Sequence, residues 1–189
     1  MVVFRGSPTG AKMRKSTRRW IVAAAAAALL AGNWACKREA PSVREEPASS
    51  LSAIAVAQPR ADRQLVDGFW EVENDAWRWT KHSFSVLLGP PVGAAQKGAR
   101  LEFRFTLTDS VLERRKSVTL SVTAGNVPLP SETYTGSGSH VYKSEVPAAA
   151  FQAGGPVKVA FSVDNYLAAG EVEGRELALI AHSIAFTAK

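Results

Sequence analysis

The sequence has one cysteine, Cys36, so no intramolecular disulfide can form. It has three histidines, His82, His140 and His182, at no metal-ligand spacing, and no cysteine cluster accompanies them. A metal site is therefore not expected, and no cofactor is implied. No stretch carries a nucleophile elbow, a His-Glu metal helix or a phosphate loop. The expectation is a non-catalytic protein. Internal repeats and heptads are also missing.

No acidic residue precedes Cys36. Six basic residues do: Arg5, Lys12, Arg14, Lys15, Arg18 and Arg19. They equal the whole formal charge of +6, because 17 Lys and Arg balance 17 Asp and Glu in the remainder. The chain after Cys36 thus has no basic excess to contact phosphates, which excludes nucleic acid as the expected partner.

What stands in the leader is an export pattern. Met13–Trp20 is a basic n-region, and Ile21–Ala31 is an apolar run of 11 residues. A bilayer span needs about 20. Residues 1–12 read as an upstream extension and 1–35 as a signal peptide. Thr17–Val22, TRRWIV, also resembles a twin-arginine export motif, with a plain basic n-region as the alternative. A lone cysteine after such a run resembles the lipidated cysteine of bacterial lipoproteins. Ala35 fits that pattern; Asn33 and Trp34 do not. An exposed free thiol is a liability in an oxidising compartment, which favours lipid on Cys36. The alternatives are an exported soluble protein and an uncleaved anchor. By analogy with lipoproteins of double-membrane bacteria, Lys37 after the cysteine leans to the outer membrane. The expected location is the cell envelope, otherwise periplasmic or secreted.

Residues 36–64 are rich in Ala, Ser, Pro and mixed charge, with no aromatic residue. They read as a flexible tether. From 65 to 189 the dominant signal is alternation with period two. Leu101, Phe103, Phe105 and Leu107 share one face. So do Phe84, Val86 and Leu88, then Val118, Leu120 and Val122, then Val157, Val159, Phe161 and Val163. The final run, RELALIAHSIAF, is apolar on both faces and suits a central strand. His182 falls on its apolar side with Ile180 and Ile184, as a core or edge histidine. Ala124–Asn126 supplies a hairpin turn pair. Gly89–Gly98 and Thr135–Ser139 read as loops, and Pro147–Gly155 as one helical turn. The pattern predicts an all-β fold. It is a single antiparallel β-sandwich, jelly-roll-like, of about 7–9 strands.

A resemblance is carried by WRWT, the VTLSVTAGNVPL hairpin, VP before a small helical turn, and the closing GRELALIAHSIAF. Together these look like a bacterial β-sandwich module of envelope proteins, similar to jelly-roll carbohydrate-binding modules. Such modules also occur attached to glycosyltransferases and methyltransferases of surface-polysaccharide pathways. The likeness covers about Gly68 to Ala188 and implies fold and context. It carries over no ligand or catalytic residue.

Candidate binding residues are Trp77, Trp79, Trp70 and Arg175. On a strand, Trp77 and Trp79 sit about 6.7 Å apart on one face and can stack on a sugar ring. Equally, Arg78 and Thr80 occupy the other face, as in a strand whose tryptophans face a core. Arg175 pairs with Glu71 or Glu73, or faces a ligand. The loop Asp164–Glu176 offers carboxylates of the kind calcium prefers, but its spacing matches no fixed loop, and a solvated loop is the expectation. The expected function is non-catalytic binding of an envelope polysaccharide, with a lipid anchor to the membrane. The alternative is a structural module that docks an envelope protein partner.

Overall fold

The computed structural model describes residues 50–189. The expected signal peptide, Cys36 and the expected tether up to residue 49 lie outside the described residues.

Nine strands form one antiparallel sheet: β1 (Ala53–Ala55), β2 (Leu65–Glu73), β3 (Trp77–Leu88), β4 (Ala99–Leu107), β5 (Val118–Ala124), β6 (Val127–Tyr134), β7 (Gly138–Val146), β8 (Val157–Val163) and β9 (Ile180–Ala188). Short helices α1 (Ala94–Lys97) and α2 (Asp109–Arg115) follow β3 and β4. The spatial order is β6-β5-β8-β3-β9-β4-β7, with β1 on β9 and β2 on β3. The predicted all-β sandwich is what forms, closed far enough to be barrel-like.

The closure comes from β3, which divides its pairing. Its residues Ser83–Leu88 pair with β8, while Arg78 and Trp79 pair with β9. One long strand therefore belongs to both layers. The layers meet through rings: Phe84 on β3 stacks on Phe161 of β8 at 4.7 Å, and Phe103 on β4 reaches both, at 5.7 and 5.0 Å. The apolar alternation of β4, β5 and β8 lies inside as read from the sequence. At the two ends of the sheet path, the Tyr142 hydroxyl of β7 donates to the Pro130 carbonyl of β6 at 2.7 Å. Pro128 and Pro130 suit β6 because an end strand does not need every backbone donor.

Three readings change. First, the domain does not begin at Leu65. Residues 50–64, read as tether, are folded onto it: β1 pairs with β9, and Ile54 and Val56 are buried. Gln64 fixes this segment by donating to the carbonyls of Leu51 and Leu87, at 2.9 and 2.6 Å, and accepting from the Leu51 amide. Ile54 and Val56 alternate with alanines, so their strand signal is diluted by small residues.

Second, β9 begins at Ile180 and is bulged. Arg104 of β4 pairs with Ser183 and the next residue, Phe105, pairs with Ala181, which leaves His182 as the extra residue. The bulge sends Ala181, Ile184 and Phe186 all inward. His182 thus leaves the apolar row assigned to it and bonds Thr106 Oγ1 through Nε2 at 2.9 Å. Burial alone depresses its pKa. The unfolded chain then binds its proton more readily than the folded one. Stability from this group is fully present above the ordinary histidine value near 6.5 and is lost as pH falls below it. Urea unfolding at pH 7.5 and 5.5 is expected to show a loss on acidification that the His182→Gln variant reduces.

Third, the loop Gly89–Gly98 contains α1, a single helical turn entered from Gly93 in the left-handed region. The helical turn expected within Pro147–Gly155 is present as a 3₁₀ helix, Ala148–Phe151.

Gly68 on β2 is required. Its φ is +81°, and an added Cβ would lie 2.1 Å from the Ser83 carbonyl oxygen and 2.6 Å from the Phe84 Cα. Both are backbone or near-backbone atoms of β3, which cannot step aside. Gly68→Ala is expected to cost about 2 kcal/mol, from strain at positive φ plus the clash. A lowered urea midpoint at unchanged slope would register it.

Candidate functional site

On β3 the residues Phe84, Val86 and Leu88 are buried, and so, beyond an irregularity in the pairing with β2, are Arg78 and Thr80. Arg78 and Thr80 thus share the inner face. Register agrees: Arg78 sits opposite buried Ala181, and Trp79 opposite the half-buried Ile180. Trp77 and Trp79 are therefore on the outer face. This corrects the argument that the apolar side of WRWT faces the core. Both rings are nevertheless half-buried, and Trp79 packs against the edge of the core cluster.

The inner face tolerates Arg78 because each of its three guanidinium nitrogens has a partner. Nε donates to the Val56 carbonyl at 2.8 Å, Nη1 to the Trp70 carbonyl at 3.2 Å, and Nη2 pairs with Asp62 at 2.5 Å. Thr80 likewise accepts from the Leu179 amide at 3.2 Å. A buried charge is stable only when paired and hydrogen-bonded. Residues brought in from the 50–64 segment supply two of these three partners.

Trp70 joins the outer patch from β2. Lys81, on the same face of β3 as the tryptophan pair, places Nζ 5.0 Å from its ring centroid. The Arg175 guanidinium lies 5.7 Å from it. The indole N–H donates to the Glu176 carbonyl at 2.7 Å. Of its two proposed partners, Arg175 pairs with Glu73, at 2.9 Å, and also with Glu173 at 2.6 Å. The bonds it donates to Glu173 and then Glu73 hold the guanidinium pKa above its ordinary value. The structure thus joins Trp70 to Arg175. Trp77 borders them, since Glu73 pairs in register with Trp77.

The acidic loop is tied down by the same kind of contact. Glu176 accepts from the His82 amide and lies 2.7 Å from His82 Nδ1, while the imidazole stacks on Tyr166 at 4.7 Å. Glu171 pairs with Arg115, whose hydrogen bond chiefly depresses its pKa. Arg115 Nε also donates to the Tyr166 carbonyl at 2.7 Å. Leu167 and Leu177 close the loop by exchanging two backbone bonds of 2.9 Å. Its carboxylates Glu171, Glu173 and Glu176 are therefore engaged by Arg115, Arg175 and His82. Among the described residues no group of three or more His, Cys, Asp or Glu is arranged to hold a metal ion.

Family models, curated proteins and solved structures give no match to this chain. What the patch can do must follow from its own chemistry. Two cations lie against the Trp70 ring, and its N–H is spent on the loop. Trp70 and Arg175 therefore act as a clamp between β2, β3 and the 164–179 loop. Trp77 is different: its indole Nε1 is buried and has no hydrogen-bond partner among the described residues. A buried donor left open is costly unless something accepts from it. Lys81 is not singled out by the sequence, whereas Glu173 and Glu176 are, but as loop carboxylates and not as partners of Arg175 and His82. Lys81 was legible, two residues beyond Trp79 on the same face; the pairing of Glu176 was not, since its partner is 94 residues away.

Proposed function

We propose that this is an exported envelope protein, lipid-anchored through Cys36, whose β-sandwich binds a cell-surface polysaccharide without catalysis. The observation that carries the binding reading is the placement of Trp77 and Trp79 on the outer face of β3, beside Lys81, Glu73 and Arg175. Indole faces pair with the C–H faces of sugar rings, and flanking charges accept or donate to hydroxyls. Export and lipidation rest on the leader sequence, and envelope context also on the module resemblance.

The test uses the full chain with ¹⁵N-labelled indoles, each resonance assigned by a Trp→Phe variant. Titration with purified lipopolysaccharide and capsular polysaccharide is expected to move the Trp77 and Trp79 resonances. Trp77→Ala is expected to weaken binding at least tenfold while the far-UV spectrum is kept. If neither indole responds to any polysaccharide, the patch is a structural cover for β3, and the domain is better read as a docking module for an envelope protein.

A further inference from the structure

The two rims of the sandwich differ in chemistry. Leu88 of β3 pairs with Val157 of β8, Ala99 of β4 with Val146 and Ala188, and Ala124 of β5 with Val127 and Val159. Loops 89–98 and 147–156 and the turn at Gly125 and Asn126 therefore share one rim. Gln152 Nε2 ties the two loops by donating to the Ala95 carbonyl at 2.8 Å. Among all these residues Lys97 is the only charged side chain. At the opposite rim, residues 108–117 hold five charged side chains and residues 164–179 hold five more.

The tip of the 89–98 loop is Val92, which is 98% exposed. Pro90 and Pro91 precede it and fix the backbone. The Ala94 amide donates to the Pro91 carbonyl at 3.1 Å, so the turn that holds Val92 out is preformed. Lys97 on this loop and Lys158, one residue in from the rim on β8, are exposed. Glu145, one residue in from the rim on β7, is paired with Arg100 and Lys189, at 3.1 and 2.5 Å.

A single exposed valine is ordinary on a protein surface. What gives this rim an occupant is the point where the chain enters the domain. The Gly89 amide donates to the Leu51 carbonyl at 3.0 Å, and a Cβ added to Gly89 would overlap the Ser50 carbonyl oxygen. The chain thus enters against the base of the Val92 loop. Ser50 is fourteen residues on from Cys36, at most about 50 Å of chain. Strands of nine residues, such as β4 and β9, put the two rims about 30 Å apart. A lipid on Cys36 therefore keeps this rim close to the membrane, whereas presenting the opposite rim consumes most of that reach.

We propose that this rim docks on the surface of the bilayer that carries the anchor. Val92 dips among the headgroups, and Lys97 and Lys158 lie against their phosphates. The inference rests on the lipid-anchor reading above. Loops without charge have the least to lose on leaving water, and an apolar tip gains by entering the interface. Each lysine near an anionic surface strengthens attachment roughly fivefold. These gains are small, and the tether makes them sufficient by holding the rim at an effective concentration of about millimolar. Residues 164–179 carry four carboxylates and one arginine, an acidic excess that the same surface repels. Trp77 opens β3 at that opposite rim, so docking turns the tryptophan patch away from the membrane.

The test uses the full ¹⁵N-labelled chain, made without membranes so that Cys36 keeps its thiol, and coupled through that thiol to a maleimide phospholipid. The coupled protein is placed in bicelles of phosphatidylcholine and phosphatidylglycerol that carry a gadolinium-chelating lipid. The amides of Val92, Gln96, Asn126 and Gly154 are expected to relax roughly threefold faster than those of Asp75 and Glu173. Val92→Asp combined with Lys97→Glu, both at exposed positions, should remove that difference while amide shifts elsewhere stay in place. Similar relaxation at both rims, or a difference that survives the double substitution, would overturn the docking. Because coupling supplies the anchor directly, that result leaves the lipidation reading standing. Lipidation is read separately, from the mass of the Cys36 peptide in protein extracted from bacterial membranes. A bare Cys36 there overturns the anchor reading, and the docking with it, whatever the bicelles show.

Discussion

Phe103→Ala is expected to lower stability by about 3–5 kcal/mol, the range for emptying a buried aromatic site. Phe103 has no exposed surface. Its ring centroid lies 4.9 Å from Phe105, 5.0 Å from Phe161 and 5.7 Å from Phe84. These neighbours belong to β4, β8 and β3, and each strand is held by ladders on both sides. They cannot close in on the space left, so the cavity term adds to the lost transfer energy. A domain of this kind is stable by only about 5–15 kcal/mol. The variant should therefore unfold at a much lower urea midpoint with an unchanged slope. Phe103→Leu, which fills most of the volume, should lose about 1 kcal/mol. Equal losses for the two variants would mean that the layers are not packed through this ring.

The second large effect is at Arg78. Arg78→Met is expected to cost about 3 kcal/mol, although methionine fits the volume. The carbonyls of Val56 and Trp70 lose their donor, and each buried orphan costs about 1–3 kcal/mol. The Asp62 ion pair adds little, because the Asp62 side chain is 59% exposed and water can replace the guanidinium there. Arg78→Lys should recover only a small part, since a single ammonium nitrogen cannot reach the three sites that the separate nitrogens of the guanidinium span. Hydrogen exchange gives a sharper readout. The Val56 amide, bonded to the His182 carbonyl, should lose protection in Arg78→Met before the β4 and β8 amides do. If the Val56 amide kept its protection, Arg78 would not be what holds the 50–64 segment down.

That segment shows where sequence reading reached its limit. Composition argued for a tether because residues 36–64 are rich in Ala, Ser, Pro and mixed charge, with no aromatic residue. Two aliphatic residues suffice for a strand when a partner strand is waiting, and β9, about 130 residues on, is that partner. Arg175 is a further case, since only the approach of β2 to the loop chooses Glu73 over Glu71.

The tryptophans are the instructive middle case. Even spacing from Phe84 back to Arg78 points to their face, and the pairing with β9 fixes it. Read locally, WRWT gave the reverse answer, since the bulkier apolar pair was taken as the inward side.

By itself, the sequence determined the all-β class, the inward rows of β4, β5 and β8, and the Ala124–Asn126 hairpin. Alternation is a local property, written in neighbouring residues. It states which side chains share a face. Which face of WRWT is inside, where a bulge shifts the count at His182, and which distant carbonyls make a buried arginine tolerable are settled between strands. Only the tertiary structure decided those, because the hydrogen bonds and ring contacts that outweigh local apolarity come from residues far apart in the chain.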